Sequence, residues 1–60
     1  MSASFINDPE HWRRRAEEAR IIAERMTDAT SRQMMLRNAE DYEQLARRAE
    51  ERLAGLPKSN

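Results

Sequence analysis

The sequence predicts an all-α protein: an antiparallel two-helix hairpin that pairs with a second copy into a four-helix bundle. Strong helix formers dominate its composition, two apolar stripes recur at alternating spacings of four and three, and one short polar break separates them. Ala, Glu, Arg, Leu, Met and Gln fill the middle of the chain, while one Gly and two Pro in 60 residues leave little material for turns or barrels. The β-branched and aromatic residues that favour strands are scarce. Sixty residues, 38% hydrophobic and 37% charged, suit one domain at most.

Residues 1–7 form an N-terminal arm, and Asp8-Pro9-Glu10 reads as a helix start. Asp8 can cap a free amide, Pro9 has no N–H to leave unsatisfied in the first turn, and Glu10 complements the helix dipole. The first helix is expected over about 9–27, with Trp12, Ala16, Ala19, Ala23 and Met26 in one coiled-coil-like seam that Ile22 widens.

Thr27-Asp28-Ala29-Thr30 is the cap-rich break, and Asp28 is the N-cap candidate for a second helix over about 29–54. Met35, Ala39, Tyr42, Ala46, Ala49 and Leu53 again alternate four and three, until Gly55 and Pro57 supply stop signals and open a tail over 55–60. So short a connection forces the helices to be antiparallel neighbours over residues 8–54. Paired outward from the turn, Ala23 should face the Met35 region, Ala19 face Ala39, Ala16 face Tyr42, and Trp12 lie near Leu45 and Ala46. At about 1.5 Å rise per residue the helices should be roughly 28 Å and 39 Å long. The second then overhangs, carrying Ala49, Leu53 and Leu56, and Phe5 and Ile6 are placed to fold back over it and press on Trp12 in the manner of a hydrophobic staple.

Below about 70 residues a single core rarely yields more than roughly 3 to 5 kcal/mol without disulfides, metals or partners, and this chain has no Cys. Met34 and Leu45 flank the second helix's seam on one side and Leu36 on the other, an apolar arc wider than one partner helix covers. Ile21 and Ile22 are expected near Leu36 and Met34 at the turn end. These five residues make the predicted protein interface, and a homodimer is the predicted assembly. An unidentified protein partner is the alternative, and scattered surface apolar residues on a monomer are the plainest reading.

Eleven basic and eleven acidic residues, interspersed, argue against a nucleic-acid footprint or a polybasic membrane anchor. Arg13-Arg14-Arg15, with Arg47 and Arg48, nevertheless supports an alternative reading as a small nucleic-acid-associated protein. Glu10 with Arg14, Arg13 with Glu17 and Arg14 with Glu18 instead suggest helix-surface ion pairs. Arg-Arg-Ala-Glu-Glu occurs at 14–18 and 47–51, but its flanks do not align, so it reads as composition rather than duplication. His11 is the single histidine, too few for a metal site, and Tyr42 among Glu40, Asp41 and Glu43 reads as a seam residue with its hydroxyl at the edge. Two thin helices form no pocket in which catalytic groups could be desolvated, so no enzyme activity, metal or cofactor is expected. No basic stretch leads into an apolar run at the N-terminus and nowhere do 18 apolar residues follow one another, so neither a secretory signal nor a membrane span is expected, and cytoplasmic residence is.

The run Asp8-Pro9-Glu10-His11-Trp12-Arg13, then Arg15-Ala16-Glu17-Glu18-Ala19-Arg20, then Met35-Leu36-Arg37 with Ala39-Glu40-Asp41-Tyr42-Glu43, resembles short uncharacterised helical-hairpin proteins common in alphaproteobacteria. The resemblance covers most of residues 8–53. It implies a helical hairpin and assigns no activity and no functional residue. Those proteins carry Asp-Pro at the start of the second helix, where this chain has Asp28-Ala29, which implies a less rigid turn.

Overall fold

The computed structural model describes residues 8 to 55, which form two α-helices packed as an antiparallel hairpin. Helix α1 spans Pro9–Arg25 and α2 spans Ala29–Ala54. Asp8 caps α1 as its sequence implies: its carboxylate accepts from the Glu10 N–H at 3.1 Å, its carbonyl accepts from the His11 N–H at 3.1 Å, and Pro9 sits in the first turn.

Helix α1 ends two residues before the expected 27, because the chain needs room to reverse. Met26 is already extended, at φ −85° and ψ 133°, and only residues 26–28 join the helices. Side chains close this link. The Met26 carbonyl accepts from Arg32 Nη2 at 2.9 Å, and the Asp28 carboxylate accepts from the Ser31 N–H at 2.8 Å. One of the carbonyls at the end of α1 and one of the amides at the start of α2 thereby find partners within the turn. At the far end Gly55 is left-handed, at φ 72°, and its N–H donates to the Arg52 carbonyl at 3.1 Å, the usual way a glycine stops a helix.

The seam is built of methyl groups. Among the described residues the fully buried ones are Ala16, Ala19, Ala23, Ala39, Ala46 and Ala49. Ala16, Ala19 and Ala39 form one cluster, with Met35 and Tyr42 packed against it. Trp12, Met26 and Leu45 are half-buried. The indole of Trp12 stacks on the Tyr42 ring at 5.9 Å and 18°, and His11 meets that indole edge-on at 4.7 Å, contacts that the residue spacing did not foresee.

Leu53 is a correction to the expected seam: it is 64% exposed. With 17 residues against 26, α1 is roughly 13 Å shorter than α2. Ala16 and Ala19 pack against Ala39, Met35 and Tyr42, a register that carries Leu53 beyond the start of α1, where no helix turn lies opposite it. The expected cover of this end by Phe5 and Ile6, and the position of Leu56, lie outside the described residues.

Candidate interaction surface

Two rows of side chains run beside the alanine seam, one on each flank, and each is set by seven-residue spacing. On the first flank Arg13 and Arg20 of α1 lie seven apart, and so do Glu43 and Glu50 of α2. The Arg20 Nη2 donates to Glu43 Oε2 at 2.9 Å and the Arg13 guanidinium donates to the Glu50 carboxylate. One step of seven forward in α1 is thus matched by one step of seven backward in α2, as antiparallel heptads require. Arg20 also lies 3.5 Å from Glu17 Oε1. The hydrogen bond to Glu50, and then the charges of Glu50, Glu43 and Glu10, hold the Arg13 guanidinium protonated more firmly than usual, and the bond to Glu43 does the same for Arg20. Both pairs bridge the helices, so this flank is closed by charge.

The opposite flank is open. Arg15, Glu18, Ala19 and Ile22 of α1 and Met35 and Tyr42 of α2 line a shallow cleft of about 120 Å³ between the helices. Arg15 Nη1 bonds Glu18 Oε1 at 3.3 Å on its rim. Ile22, seven residues after Arg15 in the same row, is 45% exposed. On α2 the corresponding row passes through Leu45, which is half-buried and has Asp41 and Arg48 as its helical neighbours one turn away on either side.

The structure divides the five expected interface residues instead of gathering them into one patch. Ile22 and Leu45 belong to the open flank. Met34, 63% exposed, and Leu36, 39% exposed, line a separate depression of about 440 Å³ with Gln33, Arg37 and Glu40, all on α2. That depression shares no residue with the cleft. Leu36 continues the row of Glu43 and Glu50, which places it on the charged flank. Ile21, 42% exposed, is rotated away from Ile22 by the 100° that separates consecutive helical residues.

The arginine cluster is also arranged differently from expectation. Arg13 reaches across to Glu50 instead of Glu17, Arg15 rather than Arg14 takes Glu18, and Glu17 pairs with Arg20. The physical reason is position: Arg13 stands beside the seam, where a carboxylate of the other helix is in reach, whereas Arg14 projects outward and is exposed. The signal for the cross-helix pairs was present in the seven-residue spacing of Arg13 with Arg20 and of Glu43 with Glu50, flanking the seam in both helices. Arg47 and Arg48 are exposed.

Among the described residues no three His, Cys, Asp or Glu side chains converge in a way that could hold a metal ion, and no buried side-chain nitrogen or oxygen lacks a partner. None of their helices is long and apolar enough to cross a membrane. Comparison with protein-family models, with curated proteins and with solved structures gives no match to this chain. The chemistry of the two flanks therefore carries the functional interpretation.

Proposed function

We propose that the chain is a non-enzymatic helical interaction module that works as a self-associating hairpin. One observation carries this reading: each of the described residues that is fully buried is an alanine, while Ile21, Ile22, Met34, Leu36 and Leu53 are all exposed. A buried methyl group contributes less than about 1 kcal/mol, whereas full burial of a Leu, Ile or Met side chain contributes about 1.5 to 3 kcal/mol. The hairpin thus withholds from its own core the side chains with most to gain from burial. A domain is normally two packed layers around one core, and two helices side by side are a single layer. A second hairpin supplies the missing layer.

The nucleic-acid alternative finds less support. Phosphates would have to displace Glu50 from Arg13 and Glu18 from Arg15, and the formal net charge of zero offers no long-range attraction. The decisive experiment is solution mass by light scattering over a concentration series. A mass of two chains that falls to one on dilution is the expected result, and a single-chain mass at every concentration sinks the self-association reading.

A further inference from the structure

We propose that the N-terminal arm closes the open end of the hairpin, with Phe5 and Ile6 laid on Leu53 of their own chain. This goes beyond the self-association reading and holds whether the chain is single or paired. Of the exposed apolar residues it accounts for Leu53 alone and leaves Ile21, Ile22, Met34 and Leu36 to a second copy.

The surface to be covered is set by register. Ala16 and Ala19 pack against Ala39, so counting back from them to Pro9, and equally far forward from Ala39, reaches the stretch 46–49 of α2. Ala46 and Ala49 are buried there, whereas Leu53, the next residue of the same stripe, is 64% exposed. Leu53 thus lies about four to seven residues past the start of α1, or roughly 6 to 10 Å of helix rise. The apolar stripe continues for one step after its partner helix has ended.

The segment that covers it is set by where the chain enters. In an antiparallel hairpin the start of α1 and the end of α2 share one end, so the arm begins beside the overhang. Asp8, where the described chain starts, is extended, at φ −112° and ψ 96°. At about 3.3 Å per extended residue, Ile6 and Phe5 reach roughly 7 and 10 Å from Asp8. That is the span between the start of α1 and Leu53.

The order of residues in the arm points the same way. Its sequence is Met1-Ser2-Ala3-Ser4-Phe5-Ile6-Asn7, so after Met1 its large apolar residues are this adjacent pair. A hydrophobic staple would place its apolar residue directly before the cap, to pack on the fourth residue of its own helix, here Trp12. That position is Asn7, and the ring of Trp12 already meets Tyr42 and His11. The apolar pair stands one and two residues farther out, at the reach of Leu53. Only Phe5 to Asn7 need be fixed to make the contact, which confines the entropic cost to a short segment.

The test is nuclear magnetic resonance on the full chain, at a concentration where light scattering gives one defined mass. Nuclear Overhauser contacts should join the Phe5 ring or the Ile6 methyls to the Leu53 methyls. Phe5→Ser with Ile6→Ser should speed amide exchange over residues 48–54 by at least about fivefold and leave the amides around Ala39 unchanged, because it frees the helix end alone. In a Leu53→Ala background the same pair of substitutions should add nothing. The tail and a second copy are the competing covers. If the arm substitutions are silent while Leu56→Ser speeds the exchange, the tail covers Leu53 and the proposal is overturned. It is equally overturned if the contacts appear only between labelled and unlabelled chains of a mixed sample, or if no contact to Leu53 is seen and no substitution changes the exchange. A chain that is a monomer at every concentration defeats the self-association reading and leaves this one standing.

Discussion

The two flanks of one seam differ in what they hold together. The charged flank joins α1 to α2 through Arg13–Glu50 and Arg20–Glu43, whereas on the other the Arg15–Glu18 pair stays within α1 and Ile22 stands exposed beside the Tyr42–Met35 cleft. The difference shows how register is reinforced in a seam made mostly of small residues. Alanine facing alanine offers similar methyl surface at successive steps of seven, so within the seam only Trp12, Met26, Met35 and Tyr42 resist such a slide. The charged row does not tolerate that slide: Arg20 would meet Glu50, and Arg13 would pass beyond it. Alanine brings the helices close, and charge selects where they stop.

The severest way to break this arrangement is to enlarge the seam that both flanks share. Ala16 is 0% exposed, so Ala16→Leu has no space and must push the helices apart. It should cost about 3 kcal/mol, read from urea denaturation at a concentration where the wild type has one defined mass. The same separation should break the Arg20–Glu43 bond. A loss below about half that value would mean that the helices are not held at the close approach the methyl seam implies.

A sharper comparison uses two adjacent isoleucines of nearly equal exposure, Ile21 at 42% and Ile22 at 45%. If the open flank is the contact between copies, Ile22→Glu should weaken association by about 2 kcal/mol, roughly thirtyfold in dissociation constant. Ile21→Glu should change it by no more than about 0.5 kcal/mol. Sedimentation of the two variants side by side decides the matter. Equal loss in both would mean that the contact surface spans the outer face of α1 and not one flank.

Most of this fold is written in local sequence. The caps Asp8 and Asp28, the stop at Gly55 and the four-three spacing define both helices, and even the hairpin is encoded by phase. Continuing the first stripe past Met26 would put Thr30 and Gln33 in the seam, whereas the second stripe is anchored on Met35, so one unbroken helix would have its apolar faces on opposite sides. The surface was less legible. The seven-residue spacing lets Arg13 reach Glu50 but does not exclude Glu17, because the choice between them depends on how far apart the finished helices lie. Leu53 shows the same limit, since it has the seam's spacing but lies where α1 offers no turn to pack on.

On the charged flank the coupling should be small and dependent on salt. A double-mutant cycle with Arg20→Ala and Glu43→Ala should return no more than about 1 kcal/mol of interaction, because the Arg20 side chain is 43% exposed and shared with Glu17. Raising the salt concentration should shrink that coupling further. A coupling that is large and unaffected by salt would mean that the pair is shielded from water, and that the charged flank, not the open one, is the covered surface.

The smallest effect is expected at the turn, which belongs to neither flank and so serves as their control. Bonds from the Ser31 N–H, and then from its hydroxyl, hold the Asp28 carboxyl below its ordinary value of 3.8. A carboxyl whose value is lowered by folding stabilises the fold fully above its ordinary value, and that contribution disappears as the pH falls through the lower, folded value. Asn at this position can still cap α2 but cannot titrate. The wild type should therefore melt slightly above Asp28→Asn at about pH 6, and the gap should close as the pH falls below about 4. The two chains differ at this one side chain, so the pH dependence they share cancels in the difference. Thermal melts of the pair across that range provide the measurement. A gap that persists at the acid end would mean that the Asp28 side chain acts through its shape and not its charge, and that the turn is held chiefly by the Arg32 bond to the Met26 carbonyl.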